Sequence, residues 1–426
     1  MSETASSDSA VGSGDERMTG LLAPLRQRTF ALYFTGQFIS QIGDGIYLVA
    51  LPFIVLGARL GPEGLGTIVS CYGFARLAAY PFGGTLSDKW GSVRVMFTAD
   101  LLRVVVVLGF VLLVLSVSLT LQVLIPVVVA LGILEGCFMP ASFAALPQIV
   151  PASSLAASNS LTATMQSTAM IAGPAAAGPL MAGFGGVLSL LIDGITFLVS
   201  TLTLAAVRYG RRSQGPVAAN QQSASAEGGS WDWASVLRYL SGSPLIKMSL
   251  LITLVLNLTY AGMTEVALPT FSRSDLHRGV GGFSVIMVGF GIGSLVGGLC
   301  GMFLLRVRRR GILALLLGIA QGAAVACIPL GTSLVVATGA MFTAGVLQAS
   351  LNVFYLTILQ LRIPAQALAR VMSLLIMCGG IAFPVATGAA GVIVHAVGPP
   401  SVMIASGACI CAGFSIGFLS RQYRTI

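Results

Sequence analysis

Residues 94–117 decide the fold class, and they read RVMFTADLLRVVVVLGFVLLVLSV. An α-helix of about 20 apolar residues is long enough to cross the hydrocarbon core of a bilayer, which is roughly 30 Å thick. This stretch reaches that length with only two charged side chains in its interior, Asp100 and Arg103. It therefore predicts a membrane-spanning helix.

The remainder of the chain has the same apolar character. Of its 426 residues, 56% are hydrophobic and 9% are charged, whereas about 25% of residues are charged in soluble globular proteins. Polar side chains are too few to cover a water-facing surface, which excludes a soluble globular protein. The sequence therefore predicts an all-α integral membrane protein with twelve transmembrane helices. The predicted spans are 29–57, 65–86, 94–117, 121–145, 160–184, 187–208, 244–270, 282–305, 311–330, 333–361, 367–394 and 399–420.

The basic residues are distributed unevenly between the two ends of these spans. All but five of the 23 Lys and Arg residues fall on the side that contains the N-terminus. The exceptions are Arg59, Arg273 and Arg278 at the opposite ends, and Arg76 and Arg103 within helices. Because cytoplasmic loops are enriched in Lys and Arg, we expect both termini in the cytoplasm and the protein in the inner cell membrane. The net charge of +9 then predicts contact with anionic lipid of the bilayer and not with nucleic acid.

Polar segments divide the chain into five predicted parts. These are a flexible cytoplasmic tail at 1–28, a six-helix bundle at 29–208, a cytoplasmic linker at 209–243, a second six-helix bundle at 244–420 and a cytoplasmic C-terminus at 421–426. Within the linker, apolar residues including Trp231 and Trp233 alternate with polar ones, which predicts a short amphipathic helix on the membrane surface.

The two bundles repeat each other in sequence, and several landmarks recur in order at a nearly constant offset. The string VALP at 49–52 recurs at 266–269 and Gly64 recurs as Gly281, both with an offset of 217 residues. Three pairs recur with an offset of 213 residues: Pro151-Ala152, Leu155-Ala156 and Ser160-Leu161 recur as Pro364-Ala365, Leu368-Ala369 and Ser373-Leu374. Duplication explains this order better than chance does. Two similar halves of six helices are typical of transporters, because a site between them can open to either side.

Several classes of function are excluded by the residues that the chain lacks. The two histidines, His277 and His395, are far apart in sequence and the seven cysteines lie in hydrophobic segments, so we predict neither a metal site nor a cofactor. The two lysines, Lys89 and Lys247, do not lie in a GxxxxGK(S/T) loop, so no nucleotide is expected as a partner. The chain also lacks a His or Cys cluster and a large extramembrane domain, so we do not expect an enzyme.

A short loop motif follows the second span. Residues 84–91 read GTLSDKWG, so that Gly84, Asp88, Lys89 and Gly91 match the pattern Gly-x-Leu-x-Asp-Arg/Lys-x-Gly. This stretch resembles the cytoplasmic loop motif of the major facilitator superfamily, although the two basic residues that follow it in the family are missing here. The resemblance implies a cytoplasmic gate, in which Asp88 faces the positive ends of neighbouring helices.

Further matches resemble the branch of that family that exports macrolides, tetracyclines and siderophores. They are Gly36-Gln37, Ser40-Gln41, Gly43-Asp44, Ala50-Leu51-Pro52, Asp100 with Arg103, Pro140-Ala141 and Leu146-Pro147. In the fifth span, Gly173, Pro174 and Gly178 resemble part of the family's antiporter motif, with one extra residue before the last glycine. A Gly/Pro kink made for helix packing explains that stretch equally well.

Ionisable residues inside predicted spans are candidates for function, because an isolated charge costs roughly 2.5 to 3.5 kcal/mol there. Asp44 lies about 22 Å from the cytoplasmic end of the first span, and Arg76 lies about 16 Å from the outer end of the second. Since their depths differ by less than about 10 Å in a core of roughly 30 Å, we predict that they pair and that Asp44 exchanges protons. A permanent structural ion pair is the alternative.

A second group of charges lies closer to the cytoplasmic side. Asp100 and Arg103 are one helical turn apart, and Glu135 in the fourth span lies at similar depth. We expect this group to brace the third and fourth helices, with proton carriage as the alternative. Asp193 and Glu265, near the outer ends of the sixth and seventh spans, are further intramembrane carboxyls that could gate the exit.

Polar residues at helical spacing form stripes in the first, seventh and tenth spans. The resemblance to the major facilitator superfamily implies that these spans face the central cavity. Polar stripes in spanning helices usually face water or protein, and hydrogen bonding between helices is the alternative here. The predicted substrate cavity contains Gln37, Gln41, Tyr47, Asn257, Tyr260, Gln348, Asn352 and Tyr355.

The functional hypothesis is a secondary active exporter of bulky lipophilic drugs or natural products. It would exchange a small-molecule substrate for protons by alternating access, since one charge moving down 100 mV provides about 2.3 kcal/mol. An importer of metabolites or nutrients on the same fold is the alternative, and the direction of flux separates the two.

Overall fold

The computed structural model describes residues 22–212, 244–304, 310–363 and 365–419, and this part of the chain is helical and contains no strand. The predicted amphipathic helix near Trp231 and Trp233 lies outside the described residues, as do most of the predicted tail and the C-terminus.

Twelve helices, numbered α1 to α12, account for almost all of the described residues. They are α1 Arg28–Gly57, α2 Gly61–Trp90, α3 Ser92–Ser116, α4 Leu121–Ile149, α5 and α6 within Leu155–Arg212, α7 beginning as Pro244–Gly262, α8 Gly279–Leu304, α9 Arg310–Cys327, α10 Leu334–Arg362, α11 Ala365–Val397 and α12 Pro399–Ile416. Short 3-10 turns at Ala23–Arg26, Ala152–Ser154 and Gly417–Leu419 flank the helices.

Two of these helices are interrupted. The 58-residue segment Leu155–Arg212 breaks at Gly185, where φ is 77°, so α5 covers 155–184 and α6 covers 186–212. This backbone angle is one that residues with a Cβ rarely adopt. Helix α7 continues through the π-helical turn Met263–Ala267 and ends as Leu268–Ser274.

The lengths of the helices agree with twelve membrane spans. Nine helices of the described part are long and apolar enough to cross a bilayer, and one of them is the segment that contains both α5 and α6. The apolar part of α9, Gly311–Cys327, is shorter. Helix α2 is as long as α1, with 30 residues, but it carries Glu63, Arg76 and Asp88. The prediction of an all-α membrane protein with twelve helices is therefore confirmed.

The contacts within the first six helices recur within the last six. Helix α2 packs on α4 as α8 packs on α10, α3 packs on α4 as α9 packs on α10, and α3 packs on α6 as α9 packs on α12. Helix α1 packs on the α5–α6 segment, and α7 packs on α11 and α12. The two bundles are thus related by pseudo-symmetry, as the sequence repeat predicts.

The two halves meet mainly through two helix pairs, α2 with α11 and α5 with α8, and α7 makes smaller contacts with α1 and α2. The hydrogen bond from Ser70 to the Pro384 carbonyl is 2.7 Å long and joins α2 to α11. At Gly66, a Cβ would lie 2.7 Å from the Cα of Gly391, so these backbones touch. At Gly178 in α5, a Cβ would lie 2.9 Å from Ser284 in α8.

These contacts lie toward the end of the molecule at which α1 ends and α2 begins. The 3.9 Å contact between Glu63 and His395, the hydrogen bond and the close glycine contacts that join α2 to α11 all fall between Glu63 and Leu77 of α2. In the opposite half of α5, Ser160, Thr164 and Thr168 are exposed. The halves are therefore closed together at the end opposite the N-terminus of α1.

Candidate functional site

A buried ion-pair network forms the centre of the first six helices, and Arg103 lies at its middle. The Arg103 guanidinium is 3.3 Å from the Asp100 carboxylate and bonds the Glu135 carboxylate of α4. Arg103 is 2% exposed and Asp100 is fully buried. The guanidinium also lies 4.6 Å from the ring centroid of Phe138 and 5.2 Å from that of Phe197, within the range of cation–π attraction.

Two further polar residues extend this network to other helices. The Ser200 hydroxyl of α6 donates a 2.6 Å hydrogen bond to Asp100, and the Gln37 amide of α1 donates a 3.0 Å bond to Ser200. The chain of contacts therefore joins α1, α6, α3 and α4. The structure brings together the three charges that the sequence grouped. Ser200 carried no charge or motif to identify it, and only its spacing of seven residues from Asp193 on α6 could have suggested it.

Asp44 lies on α1 between two close helix contacts. Its neighbour Gly43 packs on α6, and Gly45 packs on Gly173 of α5. Asp44 interacts electrostatically with Glu135, Arg103 and Asp100, and its side chain is exposed. Since these charged neighbours lie on α3 and α4, the accessible surface of Asp44 faces the interior of the helix assembly and not lipid.

The expected ion pair between Asp44 and Arg76 is wrong, because no ion pair joins them among the described residues. The Arg76 guanidinium instead lies 5.5 Å from the ring centroid of Tyr72 and 5.2 Å from that of Phe383 in α11. Arg76 therefore faces the other half of the molecule, whereas Asp44 faces the network around Arg103. The two depths agree, but the two side chains point in different directions.

Two carboxyls that the sequence placed near the outer ends lie deep within the assembly. Asp193 on α6 is 1% exposed, and its Oδ1 atom is buried without a hydrogen-bond partner among the described residues. It interacts electrostatically with Asp44, Arg103 and Asp100. Glu265 lies in the π-helical turn of α7, which contacts α2, and it interacts electrostatically with Arg76 across the two halves.

The polar stripe of α1 does not face one cavity. Gln37 is 3% exposed and bonds Ser200, so it points into the first bundle, and its prediction as a cavity residue is wrong. Gln41 and Tyr47 are half-buried. The Tyr47 hydroxyl is buried without a hydrogen-bond partner in the described part of the chain, and it interacts electrostatically with Asp193 and Asp44.

The stripes of α7 and α10 meet each other in part. The Tyr355 hydroxyl is 3.1 Å from the Thr253 hydroxyl, so it joins α10 to α7. Asn257 donates to the Thr253 carbonyl and lies against Gly379 of α11. The Tyr260 ring lies 5.9 Å from the Phe290 ring, and its hydroxyl is buried and unpartnered among the described residues.

The last two residues of the α10 stripe differ in their surroundings. Gln348 is half-buried, and its side-chain carbonyl accepts a 3.3 Å hydrogen bond from Gln321 of α9. Its role as a cavity residue stays a prediction. Asn352 is exposed. Gln37, Tyr355 and Gln348 each form a hydrogen bond to another helix. Such bonding was the alternative to a stripe that faces a cavity.

The loop motif lies at the junction of α2 and α3. Asp88 and Lys89 are exposed in the last turn of α2, Gly84 is half-buried, and Gly91 has a φ of 86° that permits the turn into α3. Asp88 forms no ion pair among the described residues. Asp88 thus lies at the end of α2, and its role in a cytoplasmic gate stays a prediction.

The antiporter-like residues are packing positions in this structure. At Gly173, a Cβ would lie 2.6 Å from the Cα of Gly45, so α5 crosses α1 with backbones in contact. Pro174 and Gly178 are also buried, and Gly178 forms the contact with α8 of the other half.

The family model described as Major Facilitator Superfamily matches residues 33–387. Curated relatives include the Multidrug efflux pump Tap of Mycobacterium bovis (strain BCG / Pasteur 1173P2) and of Mycobacterium tuberculosis (strain ATCC 25618 / H37Rv). Each is 28% identical over 288 residues, which cover 64% of this chain and 65% of the relative. The chain thus spans slightly less than two thirds of the length of these relatives.

Solved structures share the fold at low sequence identity. The nucleoside transporter NupG has a TM-score of 0.66 at 14% identity, with 92% of this chain and 100% of that chain covered. A bacterial homologue of the iron transporter ferroportin in an inward-facing state has a TM-score of 0.69 at 15% identity, with 94% and 99% covered. A bacterial homologue of the lysosomal transporter Spinster, also inward-facing, has a TM-score of 0.67 at 14% identity, with 94% and 98% covered. At these identities the likeness shows the fold alone.

Proposed function

Because this chain belongs to the major facilitator superfamily, we propose that it is a secondary active exporter of bulky lipophilic drugs or natural products, driven by protons moving inward. The observation that carries the proposal is Asp44, an intramembrane carboxyl that is exposed while its charged neighbours lie on α3 and α4. A carboxyl in this position can take up and release a proton whenever water reaches it.

The state of the two halves supports alternating access. Among the described residues, the halves touch at the end opposite the N-terminus of α1, and Ser160, Thr164 and Thr168 at the other end of α5 are exposed. With both termini in the cytoplasm, as the distribution of Lys and Arg predicts, this arrangement is open to the cytoplasm. Asp44 would then release its proton to the cytoplasm in this state and bind another after the halves rock to the outward-open state.

The energy available from protons is sufficient for export. One charge moving down 100 mV provides about 2.3 kcal/mol, which corresponds to a roughly 50-fold gradient of a neutral solute. Nucleotide hydrolysis is not needed, and the protein would transport the solute without changing it chemically.

The proposed class of solute rests on the side chains near the middle of α7 and α10 and on the similarity to the Multidrug efflux pump Tap. Tyr260 and Tyr355 are half-buried aromatic residues, and Asn352 is exposed. Such a surface binds large, partly apolar molecules through stacking and a few polar contacts.

The test is Asp44→Asn in inside-out membrane vesicles, with ethidium as the transported probe and an imposed proton gradient. We expect gradient-driven ethidium uptake to fall to the level of vesicles without the protein, because Asn cannot bind the coupling proton. Asp275→Asn is the matched control, since Asp275 lies between α7 and α8 outside the network, and it should transport normally.

Two results would overturn the proposal. Undiminished uptake by Asp44→Asn would remove Asp44 from the coupling mechanism. Greater accumulation of ethidium in intact cells that express the unaltered protein than in cells without it would replace export by import.

A further inference from the structure

The buried network around Arg103 contains more carboxyl groups than cations to neutralise them. Asp44, Asp100, Glu135 and Asp193 interact electrostatically around one guanidinium, that of Arg103. Arg103 is already paired with Asp100 and Glu135. Asp44 and Asp193 have no ion-pair partner among the described residues. Their charges must be neutralised by something other than a side chain of this bundle.

Asp193 is the more enclosed of the two. Its side chain is 1% exposed, and the Oδ1 atom is buried without a hydrogen-bond donor in the described part of the chain. A Cβ placed on Gly43 would lie 2.8 Å from that oxygen, so the carboxyl lies directly against the backbone of α1. If Asp193 were ionised, the Oδ1 atom would have neither water nor a donor from the described residues to solvate its charge, which is strongly unfavourable.

The groups that face Asp193 from the surrounding helices do not provide a free cation. From α1, Asp44 and Tyr47 face it, and the Tyr47 hydroxyl is itself buried without a partner among the described residues. From α3, it meets Asp100 and Arg103, which pair with each other. Helix α5 has no ionisable residue, and Glu135 of α4 bonds Arg103.

We propose that Asp193 is a second proton-binding site of this protein, beside the site at Asp44. Asp193 holds a proton while it is enclosed, and Asp44, one residue from Gly43 and exposed, connects it to water. The transfer moves one proton from the Asp193 carboxyl to the Asp44 carboxylate, and the total charge of the pair does not change. The two sites together would carry up to two protons in each cycle.

The role in transport rests on the proposed function, but the proton on Asp193 does not, so the test measures the proton directly. Infrared difference spectra would be recorded on the purified protein in lipid between acidic and alkaline buffer. We expect a carbonyl-stretch band of a protonated carboxyl that disappears as the pH rises. The band should be missing in Asp193→Asn and retained in Asp275→Asn.

A second variant keeps the inference testable where Asp193→Asn does not fold. Asp193→Glu retains the carboxyl and should move the band to another frequency, whereas labelling all aspartates with ¹³C should shift the band of the unaltered protein. A band that is unchanged in Asp193→Asn, or that is insensitive to ¹³C-aspartate, overturns the inference, and so does a band that persists at every pH.

Ethidium transport by the same preparations distinguishes the two proposals. A titrating Asp193 band in a protein that does not transport ethidium would support the proton site and contradict the exporter. Normal proton-driven transport without that band would do the reverse.

Discussion

Arg103 explains why the buried charges of the first bundle can be tolerated. Its guanidinium bonds two carboxylates and lies between two phenyl rings, so the cation is enclosed without water. The pairing of Arg103 with Asp100 could be predicted, because residues three apart share a helix face. The partner of Asp44 could not. Depth along a helix follows from residue number, but the direction of a side chain depends on how each helix is rotated in the bundle.

Arg103→Met tests the role of the network in stability. Removing one partner of a buried ion pair costs about 3 to 5 kcal/mol, because the remaining carboxylates are left uncompensated. We expect a lower thermal unfolding temperature in detergent, measured by intrinsic fluorescence. Adding Asp100→Asn and Glu135→Gln to this variant should restore part of the loss. Equal stability of Arg103→Met and the unaltered protein would show that the network does not brace the bundle.

At the scale of helices, most of the boundaries could be predicted from apolar length. The first span was expected at 29–57 and is Arg28–Gly57. The second was expected at 65–86 but is Gly61–Trp90, because polar residues at both ends continue the helix beyond its apolar part. The π-helical turn Met263–Ala267 was not predicted. Hydropathy carries no information about a local change of hydrogen-bond register.

The contact of α2 with α11 gives a prediction at the same scale. Gly66→Ala would place a Cβ 2.7 Å from both the Cα of Gly391 and the Thr387 carbonyl oxygen. Such overpacking typically costs about 1 to 3 kcal/mol, so we expect a lower unfolding temperature and weaker closure at this end. Gly339→Ala is the control, since its Cβ would meet nothing within 4 Å. Similar unfolding temperatures for the two variants would contradict a close contact at Gly66.

At the scale of the whole molecule, the contacts between the halves show which end is closed. The sequence repeat predicted the pseudo-symmetry, because each landmark of the first bundle has a counterpart in the second. It could not predict which end is closed, since both states of an alternating-access transporter use the same helices. That information comes from side chains such as Glu63, 3.9 Å from His395 across the two halves.

The closed end can be trapped by a disulfide cross-link. In a background with the seven native cysteines replaced by alanine, Glu63→Cys and His395→Cys should be joined through disulfides by a short bifunctional methanethiosulfonate, because the tips of the native side chains are 3.9 Å apart. The cross-link should stop ethidium transport by preventing opening, and a reductant should restore it. Each single cysteine variant should transport under both conditions. Continued transport by the cross-linked protein would show that this end does not open during the cycle.

The break at Gly185 links the contact between the two halves to the buried carboxyl of α6. Helix α5 touches the other half at Gly178, and α6 carries Ser200 and Asp193, yet one residue separates the two helices. A connection of one residue allows little independent movement of the two helices. If α5 tilts during the proposed cycle, α6 would move with it, and the Asp193 carboxyl that lies against Gly43 would move at the same time. Opening the molecule and releasing its protons would then be one mechanical event, with Gly185 as the pivot.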